Sequence, residues 1–180
     1  SGSEATLKID ITPQADAPTL STTGNLVPSV GLIKETWTGL SALNGGGNGA
    51  DTSRLKNTID AADPSQKASH ELVTNVQAGD VTVGTASKTS GLIYLEAGKT
   101  YTFSGSGDDS LLVAVGGTTV ARTTWGEGGT LNGTFKPTVS GFYTLDIYHH
   151  NQNGPGNYDV NLQVGNGPVM DLSGANVPLY

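Results

Sequence analysis

Apolar and polar residues alternate with a period of two along much of the second half of the chain. Tyr143, Leu145 and Ile147 alternate with Thr144, Asp146 and Tyr148, and Tyr158, Val160, Leu162 and Val164 alternate with Asp159, Asn161 and Gln163. Successive strand side chains point to opposite faces, so each run predicts a strand with one face in a core. Leu92-Ile93-Tyr94-Leu95, a turn at Ala97-Gly98 and Tyr101-Thr102-Phe103 predict a hairpin. Leu111-Leu112-Val113-Ala114-Val115 is apolar at every position and predicts a strand covered on both sides. Gly116-Gly117 supplies the positive-φ residues that a two-residue turn favours, and Thr118 to Thr124 returns as the partner strand.

The first half is less regular. Thr6 to Thr12 carries Leu7, Ile9 and Ile11 on one face, and Pro13 ends it. This opening resembles the last strand of an immunoglobulin-like module, followed by a stiff linker. Residues 1–23 are therefore expected to be a linker or the terminal strand of a preceding immunoglobulin-like module, as in a segment of a longer chain. Gly31-Leu32-Ile33 leads into Trp37, and Asn44-Gly45-Gly46-Gly47-Asn48-Gly49 reads as a loop. Leu55 and Ile59, four apart, permit one or two helical turns before Pro64, and residues 61–80 read as irregular and polar. The tail from residue 167 to 180 is expected to be extended. No fixed-period repeat is present. These patterns give an all-β fold class, an antiparallel sandwich or barrel with long loops and one short helix.

Composition narrows the function. The chain has 180 residues, 26 of them glycine, and no cysteine. That is enough for one domain with a core, in a turn-rich and not a helical style. The net charge of −7 comes without a basic stripe, which argues against a nucleic-acid partner. No stretch is apolar enough to cross a bilayer, and the start has no signal-peptide pattern. No Gly-x-Ser-x-Gly, P-loop or dinucleotide fingerprint occurs.

The chemistry concentrates in two places. Asp108 and Asp109 interrupt strand residues just after Gly105-Ser106-Gly107. Adjacent carboxylates repel at neutral pH unless a cation or a shared proton holds them. Aiming both at one cation calls for a cis peptide bond between them. The second place is His149-His150-Asn151-Gln152-Asn153-Gly154-Pro155-Gly156-Asn157, which is rich in amide and carbonyl oxygens. Calcium takes about six to eight such oxygens. Gln152 can offer an amide oxygen and Gly154 and Gly156 backbone carbonyls, with Asn151 and Asn153 as chemically equal alternatives for the amide. His149 and His150, being adjacent, should point apart and make a poor zinc pair. Trp125 is a candidate to stack on a ligand or to fill the core, and the core reading is preferred for a lone tryptophan among strand residues.

Two segments carry a family resemblance. Gly91-Leu92-Ile93-Tyr94-Leu95-Glu96-Ala97-Gly98-Lys99-Thr100-Tyr101-Thr102-Phe103-Ser104-Gly105-Ser106-Gly107-Asp108-Asp109-Ser110, and Gly141 to Gln152 with Gly154-Pro155-Gly156, resemble the protective-antigen-like (PA-fourteen) lectin domain. The likeness is strongest to lectin modules of giant bacterial RTX adhesins, and it covers about residues 24–166. It implies a Ca2+ held by Asp108, Asp109, Gln152, Gly154 and Gly156, with sugar contacted by Asp108, Asp109, Gln152 and Asn153. It also implies an extracellular, monomeric module of a bacterial surface adhesin, not an enzyme, acting in attachment and biofilm formation. The glycans expected are fucose- or glucose-type. Two other readings stand beside it: a spacer domain rigidified by calcium with no sugar ligand, and an accessory domain of a larger glycosidase.

Overall fold

A computed structural model describes residues 30–44 and 51–180. The expected strand at Thr6 to Thr12, the linker after it and most of the glycine loop before residue 51 lie outside the described residues. The elements are β1 (Leu32–Thr38), α1 (Thr52–Ala61), β2 (Ser69–Val73), β3 (Gln77–Ala78), β4 (Thr85–Leu95) and β5 (Tyr101–Asp108). They continue as β6 (Ser110–Val115), β7 (Thr118–Thr124), β8 (Thr130–Phe135), β9 (Gly141–His150), β10 (Asn157–Val164) and β11 (Met170–Asp171).

Two antiparallel sheets pack face to face. One has the order β2-β1-β4-β9-β6-β7, and the other β11-β10-β5-β8, with β3 paired to β10. The expected all-β sandwich is the fold observed. Its core lies between the sheets, where Phe103, Leu131, Val160 and Leu162 from one meet Ile93, Leu111, Val113, Leu145 and Ile147 from the other. Burying each such side chain contributes roughly 1.5–3 kcal/mol.

A second apolar layer covers the outside of the six-stranded sheet. Leu55 and Ile59 of α1, with Trp37 and Leu43, pack on Ala86, Leu112, Ala114 and Tyr148. This is why β6 is apolar at alternate and intervening positions alike: its odd-numbered residues face the sandwich and its even ones face the helix. The helix starts where Asp51 accepts hydrogen bonds from the Ser53 and Arg54 amides, satisfying two N–H groups that the first turn leaves open.

Three sequence expectations change. The hairpin over residues 92–103 is not one: β4 and β5 lie in different sheets. Both edges of β4 are taken, by β1 and β9, while β5 pairs with β8 and β10. The turn between them crosses the core, tied by the Glu96 amide to Tyr101 Oη (2.8 Å) and the Gly98 amide to the Pro137 carbonyl (2.9 Å). Residues 61–80 are not irregular throughout, because β2 adds to the edge of β1. Its residues are mostly exposed, so no apolar alternation marked it. The tail turns back on itself after Ser173, whose carbonyl accepts from the Asn176 and Val177 amides, and is part of the core: Leu172 and Leu179 are fully buried, and Tyr180 exchanges two backbone hydrogen bonds with Leu92.

One crossing positions the chemistry. Asp108 closes β5 in one sheet and Ser110 opens β6 in the other, so the chain changes sheets at Asp109.

Leu179→Ala should destabilise the domain by about 2–5 kcal/mol, as for a buried leucine, whereas Leu72→Ala, on the exposed side of β2, should stay within about 0.5 kcal/mol. Urea unfolding of both variants checks this; equal effects would remove the tail from the core.

Candidate functional site

The change of sheet at Asp109 builds the site. The peptide bond between Asp108 and Asp109 is cis, as the adjacency of two carboxylates led us to expect. Backbone contacts hold the pair from two sides. The Asp109 amide donates to the His150 carbonyl (3.1 Å), and the Asp109 carbonyl accepts from the Trp125 amide (2.7 Å). Behind them His149 Nε2 donates to the Asp108 carbonyl (2.7 Å), which fixes the tautomer with the proton on Nε2.

The side chains are held as well. One oxygen of the Asp109 carboxylate, Oδ2, accepts from the amides of Gln152 (2.7 Å) and Asn153 (3.0 Å). The loop after β9 thus wraps the carboxylate, and its position follows from the charge it surrounds. Asp108 titrates at about 6, far above an ordinary aspartate. Burial is the first cause, followed by its hydrogen bond with the Asp109 carboxyl and the charge of that neighbour. Protonating Asp108 relieves the repulsion between the two groups.

In the same loop, Asn151 is completely buried. Its Nδ2 donates to the carbonyls of Val81 (2.7 Å) and Gly154 (3.0 Å), and its backbone is pinned to Thr85 and Gly84. Its Oδ1 is buried and has no partner among the described residues. An amide oxygen in that state costs about 1–3 kcal/mol unless something fills it. Gly156 is a glycine because a Cβ there would run into the Asn151 side chain. Gly154 has φ of +66°, a conformation that costs glycine little.

The aspartate pair and the loop named from sequence do come together here. Gln152 and Asn153 reach Asp109 through their backbone amides. The carbonyl of Gly154 already accepts from Asn151, and that of Gly156 from the Val81 amide (2.8 Å). Among the described residues no carbonyl hydrogen bond engages Asn153 or Pro155.

Trp125 corrects an expectation. It is not in the core but 65% exposed, the first residue of a short turn that follows β7. Gly128 and Gly129, both with positive φ, fold that turn back, and Glu127 braces it by accepting from Thr124 Oγ1 (2.9 Å) and pairing with Arg122. The run Trp-Gly-Glu-Gly-Gly was a readable turn signal that outweighs the strand residues before it. His149 and His150 are both buried, and burial pushes His149 down to about 4.

Among the described residues no cluster of three or more His, Cys, Asp or Glu side chains forms a metal site. A cation at Asp108 and Asp109 would rest on two carboxylates plus amide and carbonyl oxygens. Hard cations such as calcium accept that donor set, and soft ones do not.

No family model matches the sequence, and no curated protein matches it. Solved structures do. A PA14 sugar-binding domain from an RTX adhesin superposes with a TM-score of 0.68 at 20% identity, over 85% of this chain and 99% of that one. The Epithelial Adhesin 9 A domain from Candida glabrata, in complex with Galb1-4GlcNAc, gives 0.61 at 14% identity, over 91% and 94%. An anti-sigma factor domain-containing protein from Clostridium clariflavum gives 0.61 at 10%, over 84% of this chain and 47% of that one. The fold is that of PA14 domains.

The Asp108 carboxyl has a direct consequence for the metal-free protein. Its folded value near 6 lies above the ordinary 3.8, so between those values the folded state holds more protons than the unfolded chain. Stability must then fall from this group as pH rises through the window. His149, held neutral, acts in the opposite direction. The Asp108 contribution is therefore read as a difference. In chelator, Asp108→Asn should gain melting temperature over the parent between pH 4 and pH 7; a constant difference across that range would contradict the raised Asp108 value.

Proposed function

We propose that this domain is a calcium-dependent lectin that binds vicinal hydroxyls of a sugar at the Asp108–Asp109 pair. The observation that carries this is a pair of adjacent carboxylates wrapped by a loop whose Gln152 and Asn153 amides bind Asp109 and whose Asn151 leaves a buried Oδ1 with no partner among the described residues. A Ca2+ bound there would neutralise the pair and offer open coordination positions to two hydroxyl oxygens. The PA14 sugar-binding domain of the RTX adhesin and the glycan-bound epithelial adhesin support the reading by analogy of fold. One fold hosts several functions, so the weight rests on the residues of the site.

The residues divide the work. Asp108 and the free Oδ1 of Asp109 hold the cation and accept hydrogen bonds from the same hydroxyls. The Asp109 Oδ2 anchors the loop through the Gln152 and Asn153 amides. The amide ligand is Asn151 and not Gln152, because the Asn151 oxygen is the one left buried and empty. In the expected set Gly154 and Gly156 follow Gln152 by two and four residues, so the same count from Asn151 makes the carbonyl ligands Asn153 and Pro155. The exposed Trp125 ring, tied by its amide to Asp109, offers an apolar plane beside the site for a sugar's C–H face.

A single sugar at an open site buries little surface, so affinity per module is weak, and many copies on a cell would raise it. That suits an extracellular module of a surface adhesin, attaching to host glycans or other microbes and contributing to biofilms. Fucose- and glucose-type sugars are the first ligands to test.

On a glycan array with calcium, the domain should bind sugars and lose all binding in chelator. Binding that survives chelation would overturn the mechanism, and calcium uptake without any sugar would favour the spacer reading. Asp108→Ala should abolish sugar binding with the fold retained. By calorimetry, Asn151→Ala should lose calcium and Gln152→Ala should keep it; the reverse would restore the later register. Trp125→Ala should leave calcium affinity unchanged and weaken sugar binding about three- to tenfold, in line with the roughly 0.5–1.5 kcal/mol of an aromatic contact.

A further inference from the structure

Beside the aspartate pair, on the outer face of the five-stranded sheet, lies a cleft of about 400 Å³. That is within the roughly 300–1,000 Å³ of small-ligand sites. Its polar lining is Asn75, Gln77, Ser106, Asn157 and Asp159, drawn from β3, β5, β10 and the segment before β3. The register explains why they meet. Ser106 pairs with Asp159, Asn157 with Asp108, and Gln77 with Asp159. Side chains two apart on a strand share a face, so Ser106 and Asp108 point to the same side, as do Asn157 and Asp159. Two strand residues span about 6–7 Å, so the cleft begins one such step from the carboxylate pair.

The chemistry of the lining is selective. Besides Ala78, Gly79 and the buried Tyr158, it holds three carboxamides, the Ser106 hydroxyl and one carboxylate, with no cation and no large exposed apolar side chain. Among the described residues, the side chains of Asn75, Gln77, Ser106 and Asn157 are free of protein hydrogen bonds, while Asp159 Oδ2 accepts only from Asn161 Nδ2 (3.2 Å). Carboxamides both donate and accept, and a carboxylate accepts from two hydroxyls. Such a set is matched by a ligand of many neutral hydroxyl groups. An anion would meet Asp159, and an apolar group would strand the amides.

We propose that this cleft is a second saccharide subsite, taking the residue linked to the sugar that the aspartate pair holds, so that the ligand is an oligosaccharide of at least two units. The proposal rests on the lectin reading and adds the chain length and direction of the ligand. The glycan runs from the Asp108–Asp109 pair along β5 and β10 toward Gln77, away from Trp125.

Calorimetry in calcium with monosaccharides and with disaccharides that extend them tests this. An extending disaccharide should bind about tenfold more tightly than its monosaccharide, the gain of two or three net hydrogen bonds. Gln77→Ala and Asp159→Asn should each remove most of that gain and leave monosaccharide affinity and calcium binding as they were. Asn157→Ala, exposed on the same face, serves as the independent variant if either of the others unfolds. Equal affinity for all chain lengths, or variants that keep the full gain, would overturn the subsite. Absence of any sugar binding would instead overturn the lectin reading, and the two failures are thereby distinct.

Discussion

Two like charges on consecutive residues are the constraint around which this domain is arranged. Asp108 ends a strand of one sheet and Asp109 leads into a strand of the other, so their repulsion is placed at a point where the chain changes layer. The fold answers it with hydrogen bonds from the loop amides to Asp109, while burial and the neighbouring carboxyl hold Asp108 up near 6. A cation would answer it more completely. Around that point the rest of the fold is support: β9 ends there in His149 and His150, the turn after β7 opens there at Trp125, and β10 begins there at Asn157.

The buried histidine behind the pair illustrates how the sheet serves the site. His149 faces the sandwich, against Tyr158, and its neutral ring donates to the Asp108 carbonyl. A charged imidazole there would add a proton the pocket cannot solvate, and burial accordingly holds it near 4. The result is a backbone fixed from behind the carboxylate pair. Asn151 plays a matching part in the loop after β9, its amide nitrogen engaged by two carbonyls and its oxygen left over.

Much of this was legible in the chain. The period-two runs gave β9 and β10, the doubly apolar run gave β6, and the Asp-Asp pair with the amide-rich loop pointed to one locality. The rest was hidden for physical reasons. The turn at Ala97-Gly98 looks the same whether it joins neighbours in one sheet or crosses between two, since only long-range pairing decides that. Exposed β2 carries no apolar signal, and its strand depends on the free edge of β1. Asn151, Gln152 and Asn153 are chemically alike along the chain, and burial alone separates them. Trp125 was readable from its glycines, which a preference for buried tryptophan overrode.

A crystal structure of the domain grown in calcium would test the central claim most directly. The account predicts anomalous density for one ion between the Asp108 and Asp109 carboxylates, with Asn151 Oδ1 turned to it and one side open to solvent. Empty density at that place, or an ion enclosed entirely by protein oxygens, would contradict it.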